Sequence, residues 1–169
     1  MPAELLEEKD MGLETRPLKA KTIEIFFSYA DSDKDEEMQS ELEMHLRPLE
    51  RNNKISIWHK RKIKVGNRQD QIDKHLNEAS IILLLVSPNF LASNDVEVIR
   101  AMERHESGEA RVIPILLRPI EDWRVVPFSM LQPLPLNYRP ITQWGNRDEA
   151  FANIAQGIRT VVEDLTADV

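Results

Sequence analysis

Residues 80–87, SIILLLVS, set six apolar side chains in a row between two serines. A strand with one wet face alternates apolar and polar residues. This run has no polar face, so as a strand it must be covered on both sides. It is far shorter than the roughly 20 residues that cross a bilayer. Such a segment belongs at the centre of a layered domain, and the rest of the chain has to supply the layers.

It does so by alternation. TIEIFFSY (22–29) is a β-branched and aromatic run read as a buried strand. ADSDKDEE then offers Asp and Ser side chains to the free amides of a helix start, and Met38, Leu42, His45, Leu46 and Leu49 recur at helical spacing. KISIW (54–58) is a short second strand, and HKRKIKVGNR (59–68) is an aperiodic loop. QDQIDKHLNEA is a helix with Ile72, Leu76 and Ala79 inward. After the central strand, a third helix is expected from about Asp95 to Glu106, and GEARVIPILL leads into a fourth strand. The proline-rich stretch 118–140 excludes a long helix. A fifth short strand is expected near PITQW (140–144), and a capped closing helix turns Phe151, Ile154, Ile158, Val161 and Val162 inward. Strands alternating with helices imply parallel crossovers. The expectation is an α/β, flavodoxin-like, five-stranded parallel sheet with helices on both faces. A ligand site would lie beyond the carboxyl ends of the strands, where SYADSD, WHKRKIKVG and SPNFLASND emerge.

Composition narrows the function. A net charge of −7 over 169 residues disfavours nonspecific nucleic-acid binding. The absence of cysteine excludes disulfides and thiolate metal sites. The four histidines have no HExxH-like pairing, so no metal site is expected. The N-terminus lacks a signal-peptide pattern, and the reading is a cytoplasmic protein without membrane attachment. The expected organisation is an N-terminal arm or linker over 1–20, one domain over 21–165 and a tail over 166–169.

Four strings in order, IFFSYADSDKD, ISIWHKRKIKVGNRQDQIDKHLNEASIILLLVSPNFLAS, RAMERHESGEARVIPILLRP and NRDEAFANIAQGIRTVV, resemble the Toll/interleukin receptor (TIR) domains, and among them the bacterial branch. The resemblance implies one of two activities. Many bacterial and plant TIR domains cleave the nicotinamide–ribose bond of NAD, giving nicotinamide and ADP-ribose or a cyclised isomer. Many animal members are non-catalytic adaptors that signal through homotypic contacts. NAD would be a substrate, and no cofactor is implied. A response regulator of similar topology is disfavoured, because the first strand is not followed by an acidic phosphoacceptor pocket and the third does not end in Asp.

In NAD-cleaving relatives a glutamate on the helix after the third strand faces the substrate ribose, and Glu97 matches that position. A carboxylate suits the chemistry, since nicotinamide departure leaves positive character on the ribose carbon. Acidic residues also favour the first turn of any helix, so Glu97 has an ordinary alternative role. The approach to it, LASNDVE, lacks the Trp, Tyr or Cys usual in relatives and is about two residues shorter. Ring stacking on the substrate would then come from Trp58, Tyr29 or a neighbouring subunit.

Further substrate contacts are expected from Ser28, Tyr29, Asp31, Trp58, Arg61, Lys62 and Ser87. Bland counterparts are helix capping around Asp31–Asp33, loop anchoring by Trp58 and a solvated basic loop; His105 is read as a helix C-terminal residue and not as a catalytic base. HKRKIKVGNR matches the family's BB loop, which mediates assembly and borders the nucleotide site. Lys60, Arg61, Lys62, Ile63, Lys64, Val65 and Gly66 are therefore the expected self-association segment. Its charge complements acidic clusters such as Asp33–Asp35–Glu36–Glu37 and Asp70–Asp73, a pairing that would run head to tail into a dimer or filament.

Overall fold

The computed structural model describes residues 22–167; the expected arm over 1–20 lies outside them. Four strands form one parallel sheet: β1 (Ile23–Ser28), β2 (Ile55–Trp58), β3 (Ile81–Val86) and β4 (Arg111–Leu116), in the order β2-β1-β3-β4. The apolar run is indeed central, paired to β1 from Ile25↔Ile81 and to β4 from Ile81↔Arg111. All six of its side chains are fully buried. Removing them from water stabilises the fold on the order of 10 kcal/mol before entropic costs.

Five helices cover the sheet: α1 (Asp33–Arg51), α2 (Arg68–Glu78), α3 (Pro88–Ser93), α4 (Asp95–Glu106) and α5 (Arg147–Ala167). Alternation along the strands divides the core in two. Ile25, Phe27, Leu83 and Ile113 pack with Leu42, Leu46, Phe151 and Ile158 under α1 and α5. Phe26, Ile82, Leu84 and Val112 pack with Ile72, Leu76, Phe90, Val98 and Met102 under α2, α3 and α4. Helix starts follow the polar signals in the sequence. Ser32 accepts from the Asp35 amide at 3.4 Å, and Asn67 accepts from the Asp70 amide at 2.9 Å. The short helix α3 was not expected; Ser87 caps it at the Phe90 amide, 3.0 Å away, and Pro88 begins it.

The fifth strand is not formed. Residues Ile141–Gln143 make a 3₁₀ turn instead, and the edge beside β4 is met by a single bridge, Ile115↔Leu134. Leu134 donates to the Pro114 carbonyl and accepts from the Leu116 amide, both at 2.9 Å. Pro133 and Pro135 flank it without N–H groups, so the pairing cannot extend. The Leu134 side chain packs onto α5 at Gly157, where an added Cβ would stand 2.8 Å from its methyl carbons. That close approach accounts for a glycine inside a long helix, at a propensity cost of about 1 kcal/mol.

Two buried polar groups were not foreseen. Asp35, on the inward face of α1 and wholly inaccessible, accepts from Ser87 Oγ and from Arg118 Nε at 3.1 Å. It therefore leaves the exposed acidic cluster to which the sequence assigned it. Arg104 turns inward from α4 and donates to the carbonyls of Leu76 and Ala79 at 2.8 and 2.7 Å, closing the end of α2.

Candidate active site

Ser28, the last residue of β1, and Tyr29, the residue after it, face opposite ways. Tyr29 packs into the α1–α5 core, and Ser28 faces the other layer, toward α4. The chain between α3 and α4 is one residue, Asn94, which closes the first helix and opens the second. Asn94 and Glu97 have the spacing of a capping box, in which the glutamate would reach back to the cap amide. Here the Asn94 amide is taken by the Phe90 carbonyl at 3.0 Å, and no side chain caps α4. Glu97 is thereby released from a helix-capping role.

Its carboxylate turns to the sheet. Ser28 Oγ donates to Oε1, and Asn94 Nδ2 donates to the same oxygen at 3.3 Å. Asn94 Nδ2 also donates to the Tyr29 carbonyl at 3.2 Å, which ties the helix junction to the end of β1. Among the described residues Oε2 accepts no hydrogen bond. Glu97 opens onto a cleft of about 320 Å³ lined also by Asp31, Lys60, Arg68, Ile72, Asn89 and Ser93. Other clefts are of comparable size. One of about 380 Å³ lies at the amino end of the sheet by Ile23 and Arg111, and one of about 420 Å³ lies between Lys34, Arg118 and Arg147. Volume does not discriminate among them. The Glu97 cleft is distinguished by its place beyond the carboxyl ends of β1 and β3 and by its carboxylate. Its volume is at the low end for small-molecule sites.

The loop after β2 is pinned from within. Lys60 Nζ donates to the Tyr29 carbonyl at 2.8 Å, pairs with Asp31 at 2.6 Å and stands 4.3 Å over the Tyr29 ring. The hydrogen bond from Lys60 holds the Asp31 carboxyl below its usual range, against a smaller opposing effect of burial. Arg61 donates to Tyr29 Oη at 2.9 Å, to Ser40 Oγ at 3.0 Å and to Gln39. Burial pushes the Tyr29 phenol up to about 12, so it stays protonated and neutral. At the root of the loop, His59 Nε2 meets Glu43 at 3.2 Å and brings that carboxyl down to about 2, against burial. Gly66 has φ +137, which a β-carbon would oppose.

Of the expected site residues, Glu97 and Asp31 line this cleft, Ser28 is buried behind Glu97, and Tyr29 joins only through its carbonyl; Lys60, expected in the self-association segment, lines the cleft as well. Four are placed elsewhere. Trp58 is buried and stacked with Phe26 at 5.5 Å and with His75 at 4.4 Å, so its ring is not offered to a ligand; it anchors the loop. Ser87 is fully buried on Asp35 and the start of α3. Arg61 is spent on α1 and Tyr29, and Lys62 Nζ folds back to the Ile57 carbonyl. Within the self-association segment Ile63 packs against the α2 core, and Lys64, Val65 and Gly66 form the exposed tip, with Val65 fully solvated. His105 accepts from the Val112 amide at 3.2 Å, a structural role. Asn94 was not singled out as a site residue, and Arg68 only as a member of the basic loop 59–68. The spacing Asn94-x-x-Glu97 is the signal that could have found Asn94.

No group of three or more His, Asp or Glu residues able to hold a metal occurs among the described residues, and none of their helices is long and apolar enough to cross a membrane. Compared with known families, residues 25–155 match the model for the TIR domain. The chain belongs to the TIR domain family. An uncharacterized protein, y4lF, of Sinorhizobium fredii (strain NBRC 101917 / NGR234) is 47% identical over 146 residues, 84% of this chain. The match covers 44% of that protein, so this TIR domain spans less than half the length of its relative. Among solved structures, the TIR domains of the activated Roq1 resistosome, which directly recognizes the pathogen effector XopQ, superpose with a TM-score of 0.58. That match spans 81% of this chain and 99% of the other at 16% identity, a likeness of fold alone.

Proposed function

We propose that this TIR domain cleaves the nicotinamide–ribose bond of NAD, with Glu97 as the catalytic residue, and that it does so in a self-associated state. The observation that carries the reading is the state of Glu97. It sits at a helix start, where carboxylates ordinarily cap or meet water, yet it is drawn onto the end of β1 with one oxygen fixed by Ser28 and Asn94. The other oxygen is left for a ligand.

In the reaction the ribose C1′–N bond breaks, and its electron pair goes to the pyridinium nitrogen, giving neutral nicotinamide. Positive character left on C1′ and the ring oxygen is stabilised by the fixed anion of Glu97, which also accepts from ribose hydroxyls. Attack on C1′ by water, with loss of a proton, gives ADP-ribose; attack by the adenine gives a cyclic isomer.

Neither Trp58 nor Tyr29 is placed to stack on the substrate, since both are buried and the first is already stacked with Phe26 and His75. A cleft with no ring of its own is consistent with dependence on a second copy, and the related fold in the Roq1 resistosome belongs to assembled TIR domains. Incubating concentrated protein with NAD and measuring nicotinamide tests the proposal. Absence of nicotinamide at every concentration returns the domain to the adaptor class.

A further inference from the structure

The Glu97 cleft carries four charged side chains, and they do not cancel evenly. Lys60 and Asp31 are paired at 2.6 Å, with Lys60 held further by the Tyr29 carbonyl. That leaves the Glu97 carboxylate on the α4 side and the Arg68 guanidinium on the α2 side. Among the described residues Arg68 has neither an ion pair nor a hydrogen bond. It is the first residue of α2, where the helix dipole favours an acid and disfavours a cation. Asn67 already satisfies the Asp70 amide, so Arg68 does nothing for the cap. Arg68 is exposed, attracts the Asp31 carboxylate through space without bonding it, and lines the cleft that holds the Glu97 carboxylate.

The surviving charges form a dipolar cleft, anionic where the glycosidic bond would sit and cationic across from it. A pyridinium nucleotide has the matching pattern, a cationic ring on C1′ and a phosphate on C5′ of the same ribose. A pyridinium nucleoside has only the first half. We infer that Arg68 is a specificity-determining residue that binds the phosphate on the reactive ribose, so that the cleft selects pyridinium nucleotides over nucleosides. Guanidinium suits this because its fork of donors matches phosphate oxygens. The inference rests on the glycohydrolase reading and assigns a contact that reading leaves open.

The test compares wild type, R68Q and R68K on NAD and on nicotinamide riboside, with a thermal melt of each. R68Q should raise KM for NAD about tenfold, as expected for loss of one charge-assisted hydrogen bond. Its kcat should hold, and R68K should recover part of the loss. Constants for the riboside should not move, and the melting temperature should change little, since the Arg68 side chain is exposed. If riboside turnover is too slow to follow, inorganic pyrophosphate as competitive inhibitor serves instead, and should bind R68Q about tenfold more weakly. An unchanged KM for NAD in R68Q, or an equal loss on both substrates, overturns the assignment and leaves the glycohydrolase reading standing. Wild type that releases nicotinamide from neither substrate defeats that reading, and the assignment falls with it.

Discussion

The hydroxyl of Ser28, the last residue of β1, donates to Oε1 of Glu97 in the first turn of α4, 69 positions further along the chain. The contact exists only because β1 and β3 are neighbours in register and α4 leaves β3 over the same face of the sheet. Asn94 donates to the same oxygen, so two donors fix one side of the carboxylate and a rigid strand end carries one of them.

Removing either donor should let the carboxylate swing without unfolding the domain. Ser28→Ala and Asn94→Ala are each expected to lower kcat about tenfold, the scale of one hydrogen bond to a charged group, with KM little changed. Because both act through one oxygen, the double variant should fall short of the product of the two losses. Steady-state kinetics on the four proteins of the cycle checks this; losses confined to KM would contradict it.

The Asp35–Arg118–Ser87 cluster joins the start of α1, the exit of β4 and the start of α3. Asp35→Ala leaves the Arg118 guanidinium without its carboxylate and the Ser87 hydroxyl without its acceptor. A loss of about 3–5 kcal/mol is expected, the range for breaking a buried pair. Chemical denaturation measures it, and a loss under about 1 kcal/mol would mean the cluster is solvated and weak.

Glu43 gives the domain an acid-sensitive element. Its carboxyl is held at about 2 in the fold, chiefly by the hydrogen bond with His59, against an ordinary value of 4.5. A depressed folded-state value contributes stability that is complete above about 4.5 and is lost as pH falls toward about 2. Glu43→Gln should therefore be less stable than wild type at neutral pH and show a shallower decline between those limits. Parallel pH dependences in the two proteins would refute the linkage.

Self-association, if it runs through the loop after β2, should depend more on the unbonded side chains of its tip than on Arg61 and Lys62, which are exposed but tied by hydrogen bonds to Tyr29, Ser40 and the Ile57 carbonyl. Lys64→Glu and Val65→Asp are expected to shift assembly to several-fold higher protein concentration and to lower specific activity in step. Added salt should act in the same direction as it screens exposed charges, over a Debye length of about 8 Å at 0.15 M. Light scattering alongside nicotinamide release over a dilution series reads both; activity that stays constant while the protein is monomeric would separate the two.

Much of the architecture was legible because apolar periodicity reports burial directly. The unbroken run at 81–86 marked the centre of the sheet, and α4 begins and ends at Asp95 and Glu106 as its periodicity indicated. The fifth strand failed because β-like composition around residue 141 does not say where the chain meets the edge of β4, which it does at Leu134, between two prolines that cannot extend the pairing. Asp35 read as a surface group because charge in a helix normally faces water, and only tertiary partners such as Arg118 make its burial tolerable. Asn94 escaped notice for a similar reason: its role depends on meeting Tyr29 and Ser28, 65 and 66 positions away.

The most direct measurement is nicotinamide release from NAD by wild-type protein and by Glu97→Gln, both at concentrations where the wild type self-associates. The substitution keeps the shape of the side chain and removes its charge. Wild type should release nicotinamide, and the variant, with an unchanged melt and unchanged assembly, should be slower by a factor of about 10² or more, the scale of losing one preorganised electrostatic contact. Turnover by Glu97→Gln equal to that of wild type would contradict the assignment of Glu97.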